Sequence, residues 1–185
     1  MKIILGGSRH LEFIPREISN QISEWMEVSA EFLVGDAPGT DRAFQLFLNS
    51  SKYNLVTVFT SADEIRNNLG NWPYERIDSG LKSKSSAVHA FKDRKMCEIA
   101  DLGLMIWDCE SAGTLSNVID LVSNGKECFV WIAPDSELCK FDTISGLNGY
   151  LKGYPEVADE ARKRLETFKK RELKRQLNEI NETLF

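Results

Sequence analysis

The chain has 185 residues, of which 42% are hydrophobic, and a formal net charge of −5. This length fits one domain, or one domain with an appendage, and the hydrophobic share is sufficient for a core. The negative charge argues against a general nucleic-acid binder, because such proteins neutralise phosphates with an excess of Lys and Arg.

The sequence has no features of an exported, membrane-spanning or metal-binding protein. It begins with a strand-like apolar segment, without a preceding basic region, and no apolar run approaches membrane-spanning length. The four cysteines, Cys97, Cys109, Cys128 and Cys139, form no CxxC pair and have no histidine at zinc-ligand spacing. We therefore expect a soluble cytoplasmic protein with buried reduced thiols, and no membrane partner, metal or cofactor.

Apolar segments of strand length alternate with helical patterns along the first 134 residues. Strands are predicted at residues 2–5, 31–34, 55–59, 102–107 and 127–132. The helices are predicted to begin after Pro15, near Thr40 or Asp41, near residue 88, and at Gly113 or Thr114. This alternation is typical of an α/β, Rossmann-like, doubly wound parallel sheet, and right-handed crossovers favour the strand order 3-2-1-4-5.

Two segments depart from the alternation. Residues 60–87 are polar and irregular, which predicts an insertion or a lid. Its Trp72 and Tyr74 could stack on a base or be buried against the sheet. Residues 135–155 contain several Gly and Asp and are predicted to form a loop between the domain at 1–134 and a C-terminal helix.

Residues 156–185 are predicted to form a long amphipathic helix. Between Ala161 and Arg175 this segment carries eight basic and two acidic residues. Its apolar stripe favours docking on the domain or on a second copy of the chain, so a homo-oligomer is one expectation. The local positive charge leaves open a surface for RNA, DNA or another anionic partner, which we favour less.

Three of the strands end in a glycine-rich polar turn. The turns are Gly6-Gly7-Ser8-Arg9, Gly35-Asp36-Ala37-Pro38-Gly39-Thr40-Asp41 and Asp108-Cys109-Glu110-Ser111-Ala112-Gly113-Thr114. In a parallel sheet such turns meet at the carboxyl edge, where free backbone N–H groups and helix dipoles attract phosphate. The sequence therefore predicts a nucleotide-like small molecule in a crevice between the first and third turns.

Each turn offers groups suited to such a ligand. Glycines allow the backbone to approach it closely, Ser8 offers a hydroxyl, and Arg9 offers a charged fork. Asp36 and Asp41 would repel phosphate, so we assign them to ribose hydroxyls, a base edge or helix capping. The candidate ligand-binding residues are Gly6, Gly7, Ser8, Arg9, Gly35, Asp36, Gly39, Thr40, Asp41, Arg94, Lys95, Ser111, Gly113 and Thr114.

Four short motifs in this order resemble the SLOG superfamily. They are the turns at 6–9 and 35–41, then Asp93-Arg94-Lys95-Met96, then Ser111-Ala112-Gly113-Thr114. The pattern is most similar to the YspA-type branch and covers roughly residues 1–133. The superfamily has a Rossmann-like fold and includes the Lonely Guy phosphoribohydrolases and the DNA-processing protein A domain. The resemblance implies a nucleotide or nucleotide-derived ligand.

The Lonely Guy enzymes use an arginine and a glutamate to cleave the N-glycosidic bond of a nucleoside monophosphate. Arg94 and Lys95 match the arginine motif in part, but the glutamate position falls on Asn117, which cannot take up a proton. Asp108 or Glu110 could take its place in a hydrolase that has Arg94, Asp108 and Glu110 as catalytic residues. We favour a nucleotide sensor or sequestering protein over this hydrolase and over an interaction module that uses the C-terminal helix.

Overall fold

The computed structural model describes residues 1–78 and 86–183, of which residues 86–89 and 177–183 are described by their backbone alone. The strands are β1 (Lys2–Gly7), β2 (Glu31–Gly35), β3 (Val56–Thr60), β4 (Tyr74–Arg76), β5 (Leu102–Trp107), β6 (Cys128–Ile132) and β7 (Glu137–Phe141). The helices are α1 (Arg16–Glu27), α2 (Thr40–Ser50), α3 (Ser86–Ile99), α4 (Ala112–Ser123), α5 (Ile144–Tyr150) and α6 (Pro155–Thr183), with a 3-10 turn at Leu151–Gly153.

The strands form one sheet in the order β4-β3-β2-β1-β5-β6-β7. All neighbouring strands are parallel except β6 and β7. The strands predicted from the sequence form the centre of the sheet in the predicted order, and β4 and β7 extend its two edges. The prediction of an α/β, Rossmann-like fold with a long C-terminal helix is therefore confirmed.

Helices cover both faces of the sheet. On one face, α1 and α2 bury Ile22 and Phe44 against the strands. On the other face, α3, α4 and α6 bury Met96, Leu115 and Leu165. Because both faces of β1 are covered, its sequence is a continuous apolar run rather than an alternating one. Among the described residues, no helix combines the length and the apolar character needed to cross a membrane.

The prediction that residues 135–155 form a loop is wrong. β7 pairs antiparallel with β6, and α5 follows β7. The hairpin turns at Ser136, whose φ is 51°, and the Thr143 hydroxyl caps α5 by accepting a hydrogen bond from the Gly146 N–H. Both elements are short and α5 contains glycine, so neither has a clear hydrophobic periodicity; backbone pairing with β6 stabilises β7 instead.

The described part of the predicted insertion, residues 60–78, is anchored to the edge of the sheet. β4 pairs with β3, and the indole of Trp72 is buried with its Nε1 donating to the Tyr53 carbonyl at 2.9 Å. Tyr74 is 58% exposed. Trp72 is therefore a core residue rather than a surface for base stacking, while residues 79–85 of the predicted lid lie outside the described residues.

Trp72→Ala tests whether this segment belongs to the cooperative core. We expect a loss of about 3–5 kcal/mol in the free energy of unfolding, the usual cost of truncating a buried aromatic side chain. Tyr74→Ala is the matched control, since its side chain is exposed, and it should change stability by about 0.5 kcal/mol or less. Chemical denaturation of both variants provides the measurement, and equal small losses would contradict the assignment.

Candidate functional site

A cleft of about 820 Å³ opens at the carboxyl edge of the sheet, beside the ends of β1 and β5. These strands are neighbours, with Gly7 paired to Ile106. The chain continues from β1 to a helix on one face and from β5 to a helix on the other, which leaves a crevice between the two connections. The predicted site residues that line it are Gly6, Gly7, Arg9, Gly35, Asp41, Arg94, Asp108, Glu110, Ser111, Gly113 and Thr114.

The other predicted ligand contacts lie behind the cleft wall or away from it: Ser8, Asp36, Gly39, Thr40 and Lys95. Ser8 is fully buried, and its Oγ accepts a hydrogen bond from the Asp108 N–H at 3.1 Å. Thr40 is also buried and donates from Oγ1 to the Ser8 carbonyl at 2.7 Å. Lys95 pairs with Glu98 at 3.1 Å on α3. The two hydroxyls thus connect the turns to one another instead of facing a ligand.

Gly39 sets the contact between α2 and the first turn. Its φ is +80°, and a Cβ there would collide with the backbone of Arg9. Gly39 also occupies the N-cap position, so the expectation that Thr40 or Asp41 caps α2 is wrong. Asp41 instead accepts a hydrogen bond from the Ala37 N–H at 3.3 Å. Close packing against Gly39 fixes the backbone of Arg9 while its side chain remains exposed at the cleft.

Asp36 forms a buried ion pair rather than a ligand contact. Its carboxylate is 0% exposed, pairs with the Arg66 guanidinium, and accepts a hydrogen bond from Thr60 Oγ1 at 2.7 Å. Burial alone would raise the pKa of Asp36, but the hydrogen bonds from Arg66 and Thr60 outweigh it and hold the pKa below its ordinary value. The interpretation of Asp36 as a ribose contact does not fit this burial. Arg66 was not singled out in the sequence, because its partner is thirty residues away.

A second charge cluster lies at the end of β2. Lys92 is 5% exposed, with its Nζ 3.7 Å from Asp41 and 3.4 Å from Asp93. Gly35 leaves the space for this cluster, since a Cβ there would collide with Asp41 and Lys92. Burial raises the pKa of Asp41, and the nearby Lys92 ammonium offsets only part of this rise. For Lys92, burial alone would lower the pKa, but the neighbouring carboxylates outweigh it and the pKa is raised. Nothing in the sequence distinguishes Lys92 from the other charged residues of α3.

Arg94 lines the cleft, but α4 holds its guanidinium. Nη1 lies 2.9 Å from the Asp120 carboxylate and donates to the Ser116 carbonyl at 3.2 Å, and Nη2 donates to Asn117 Oδ1. The side chain is 8% exposed. Arg94 and Asn117, the two positions that the resemblance matched to the arginine and the glutamate of the Lonely Guy enzymes, are therefore in direct contact.

The N-terminus of α4 forms the wall opposite Arg9. The Asp108 carboxylate accepts hydrogen bonds from the N–H groups of Glu110 and Ser111, at 3.0 and 2.7 Å, and Ser111 Oγ accepts one from Thr114 at 3.3 Å. A Cβ on Gly113 would have its nearest neighbours only at 3.9 Å. The first turn of α4 is thus held in place, and a Cβ on Gly113 would fit there at ordinary van der Waals distance from Arg164 and Ser111.

α6 supplies a further wall, which sequence analysis placed outside the domain. The buried Leu165 of α6 reaches the cleft, and the other α6 residues that line it are Glu160, Lys163, Arg164, Thr167, Phe168 and Arg171. They recur every three or four positions and so lie on one face of the helix. This spacing is visible in the sequence, but the surface that it faces depends on how α6 packs against α4.

The lining cations differ in their partners. Arg66, Lys92, Arg94 and Arg164 each have a carboxylate within 4.0 Å. Within residues 1–78 and 86–183, Arg9, Lys163 and Arg171 form no such ion pair. These three are available to an anionic ligand.

Comparisons with the models of known protein families, with curated proteins and with solved structures found no match. The SLOG assignment therefore stays a prediction from the sequence motifs.

Arg66→Met tests the ion pair behind the cleft. Removal of the cation leaves Asp36 buried without a counterion, so we expect a loss of about 3 kcal/mol in unfolding free energy at pH 7. Because the folded-state pKa of Asp36 lies below its ordinary 3.8, the pair stabilises the fold above that pH and ceases to do so as the pH falls through the folded-state value. The difference in unfolding free energy between wild type and Arg66→Met should therefore decrease as the solution becomes more acidic.

The control for this measurement is Arg76→Met, which removes an ion pair with Asp63 whose side chains are 52% and 88% exposed. Such pairs contribute less than about 1 kcal/mol, so this variant should unfold close to wild type at every pH. If the difference in unfolding free energy between wild type and Arg66→Met stayed unchanged as the pH fell below 3.8, the assigned role of Asp36 would be contradicted.

Proposed function

We propose that the protein binds a phosphate-bearing nucleotide or nucleotide-derived molecule in this cleft, as a sensor or sequestering protein. The observation that carries the proposal is that several phosphate-binding groups meet at one edge of the sheet. They are two glycine turns, the α4 N-terminus and three cations that have no ion-pair partner among the described side chains. Helix N-termini and cations bind phosphate by the same electrostatic attraction, and here they face a common space.

The polar groups around the cleft suit different parts of such a ligand. Gly113 in the first turn of α4 would face a phosphate, with Arg9 as its charged partner. Glu110 is exposed at the cleft and suits ribose hydroxyls, which can donate hydrogen bonds to a carboxylate. Asp108 is less suited to that role, since its carboxylate already accepts two backbone hydrogen bonds.

Cleavage of an N-glycosidic bond is the second candidate, and two observations count against it. Asn117 accepts a hydrogen bond from Arg94 and has no carboxylate to offer. Arg94 is itself bound by Asp120, so moving it toward a substrate would break a nearly buried ion pair. Glu110 is the carboxylate best exposed for such chemistry, and release of free base from a nucleoside monophosphate would support the hydrolase.

A general nucleic-acid surface on α6 is less well supported than a small-molecule site. Lys163, Arg164 and Arg171 line the same cleft as the glycine turns, and the net charge of −5 does not favour general binding to a phosphate backbone. Self-association through α6 stays a prediction; Leu173, which is 59% exposed, is an apolar residue on this helix available for it.

Arg9→Ala should weaken the binding of a nucleoside monophosphate by about 1.5–3 kcal/mol, the range of a charge-assisted hydrogen bond. Native mass spectrometry of the purified protein and a nucleotide screen would identify the ligand, and titration calorimetry would measure the loss. Arg16→Ala is the matched control, because Arg16 is exposed at the start of α1 and does not line the cleft. Equal affinities for the nucleoside and its monophosphate would remove the basis of the prediction.

Gly113→Val should abolish ligand binding with little effect on folding. A Cβ at this position would lie 3.9 Å from its nearest neighbours, which is an ordinary van der Waals distance, so the added side chain narrows the approach to the α4 N-terminus without displacing the backbone. Gly149→Val on α5 is the control, since a Cβ there meets nothing within 4 Å and Gly149 does not line the cleft. Retention of affinity by Gly113→Val would mean that the phosphate does not lie at the α4 N-terminus.

A further inference from the structure

Two neighbouring faces of α6 have different roles. Ala158, Ala161 and Leu165 are buried and attach the helix to the rest of the domain. The adjoining face lines the cleft in two rows with a step of four residues, Glu160-Arg164-Phe168 and Lys163-Thr167-Arg171. Because residues four apart lie one above the other on a helix, each row runs along the cleft wall.

The first row is satisfied within the protein. Arg164 pairs with Glu160 at 2.7 Å, and Phe168 packs edge-on against Phe91 with 4.8 Å between ring centroids. The Phe168–Phe91 contact joins α6 to α3, whereas the Arg164–Glu160 pair lies within α6. Arg164 also lies close to Gly113, with its Nη1 3.9 Å from the position of a Cβ there.

The second row leaves two cations without an internal partner. Lys163 and Arg171 are exposed, and no carboxylate in the described part of the chain lies within ion-pair distance of either. Thr167 lies between them and donates its hydroxyl to the Lys163 carbonyl at 2.8 Å. Lys163 and Arg171 are eight positions apart, which places their Cα atoms about 12 Å apart along the helix axis.

We propose that Lys163 and Arg171 bind anionic groups of the ligand, and that the ligand is a nucleotide with more than one phosphate group. This rests on the proposed function, since one phosphate lies at the α4 N-terminus beside Arg9 and the further negative charge lies along α6. Cations spaced about 12 Å along a helix suit an anion extended in that direction better than they suit a single phosphate.

The size of the cleft agrees with a ligand of this kind. Its volume of about 820 Å³ is in the upper part of the range of about 300–1,000 Å³ that is usual for small-molecule sites. Nucleoside diphosphates, nucleoside triphosphates and dinucleotides share the required chemistry, which is a nucleoside with negative charge at more than one place. The experiment has to separate these three sources.

The test compares two doubly substituted proteins of equal charge. Lys163→Ala with Arg171→Ala removes the cleft-facing cations, and Lys169→Ala with Lys174→Ala removes two exposed α6 cations outside the cleft. Calorimetry measures the affinities of nucleoside mono-, di- and triphosphates of the four common bases, and of dinucleotides with two phosphates, for both proteins and the wild type.

We expect wild type to bind one of the multiply phosphorylated ligands at least about tenfold more tightly than the matching monophosphate, the scale of one charge-assisted contact. The first variant should lose that advantage, because its affinity for the multiply phosphorylated ligand should fall by a larger factor than its affinity for the monophosphate. The second variant should behave as wild type.

Monophosphate binding that depends on Arg9, combined with equal wild-type affinity for mono- and multiply phosphorylated ligands, would overturn this inference and leave the proposed function standing. Equal losses in the two doubly substituted proteins would also overturn it, because they would indicate a general charge effect. Failure of every nucleotide to bind wild type would overturn the proposed function and this inference together.

Discussion

The pairing of β1 with β5 is the interaction on which the cleft depends. Gly7 lies opposite Ile106, and the Ser8 N–H donates to the Ile106 carbonyl at 2.9 Å. Ser8 Oγ then accepts from the Asp108 N–H, so the strands stay joined up to the point where their turns diverge. This sets how far Arg9 lies from the N-terminus of α4. A shift in this register would separate the groups that the proposed phosphate needs to contact at once.

The buried polar residues near the cleft explain how glycine-rich turns keep one conformation. Glycines contribute no side-chain packing, and the turns are held instead by Ser8, Asp36 and Thr40, each hydrogen-bonded behind the wall. Among the described residues, every buried polar side-chain atom has a partner. Burial of these groups is tolerated because none is left unsatisfied. The groups that remain for a ligand are the exposed side chain of Arg9 and the partly exposed Gly113 in the first turn of α4.

The sequence predicted the central sheet because strands buried on both faces are continuous apolar runs, and the glycine turns after them indicated which edge carries a site. The hydrophobic pattern did not predict β7, because this strand has a mixed sequence and is stabilised by its pairing with β6. The sequence also predicted Ser8, Asp36 and Thr40 as ligand contacts, because a polar residue in a turn has the same local sequence whether it faces a ligand or a neighbouring turn. The basic face of α6 was visible as a stripe, but only its packing on α4 directs Lys163 and Arg171 into the cleft.

The neutral side chain at position 117 and the cations of α6 favour the same kind of ligand. A carboxylate in place of Asn117 would compete for Arg94 and would repel a multiply charged anion in the cleft. Asn117 accepts the Arg94 hydrogen bond without adding negative charge, and Asp120 neutralises that guanidinium from the side. The charge of Arg94 is therefore neutralised within the protein, and among the described residues the lining cations without a carboxylate partner are Arg9, Lys163 and Arg171. Under the proposed function these three would attract the phosphate groups, and Asn117 would supply no carboxylate to assist cleavage, which favours holding a nucleotide over hydrolysing it.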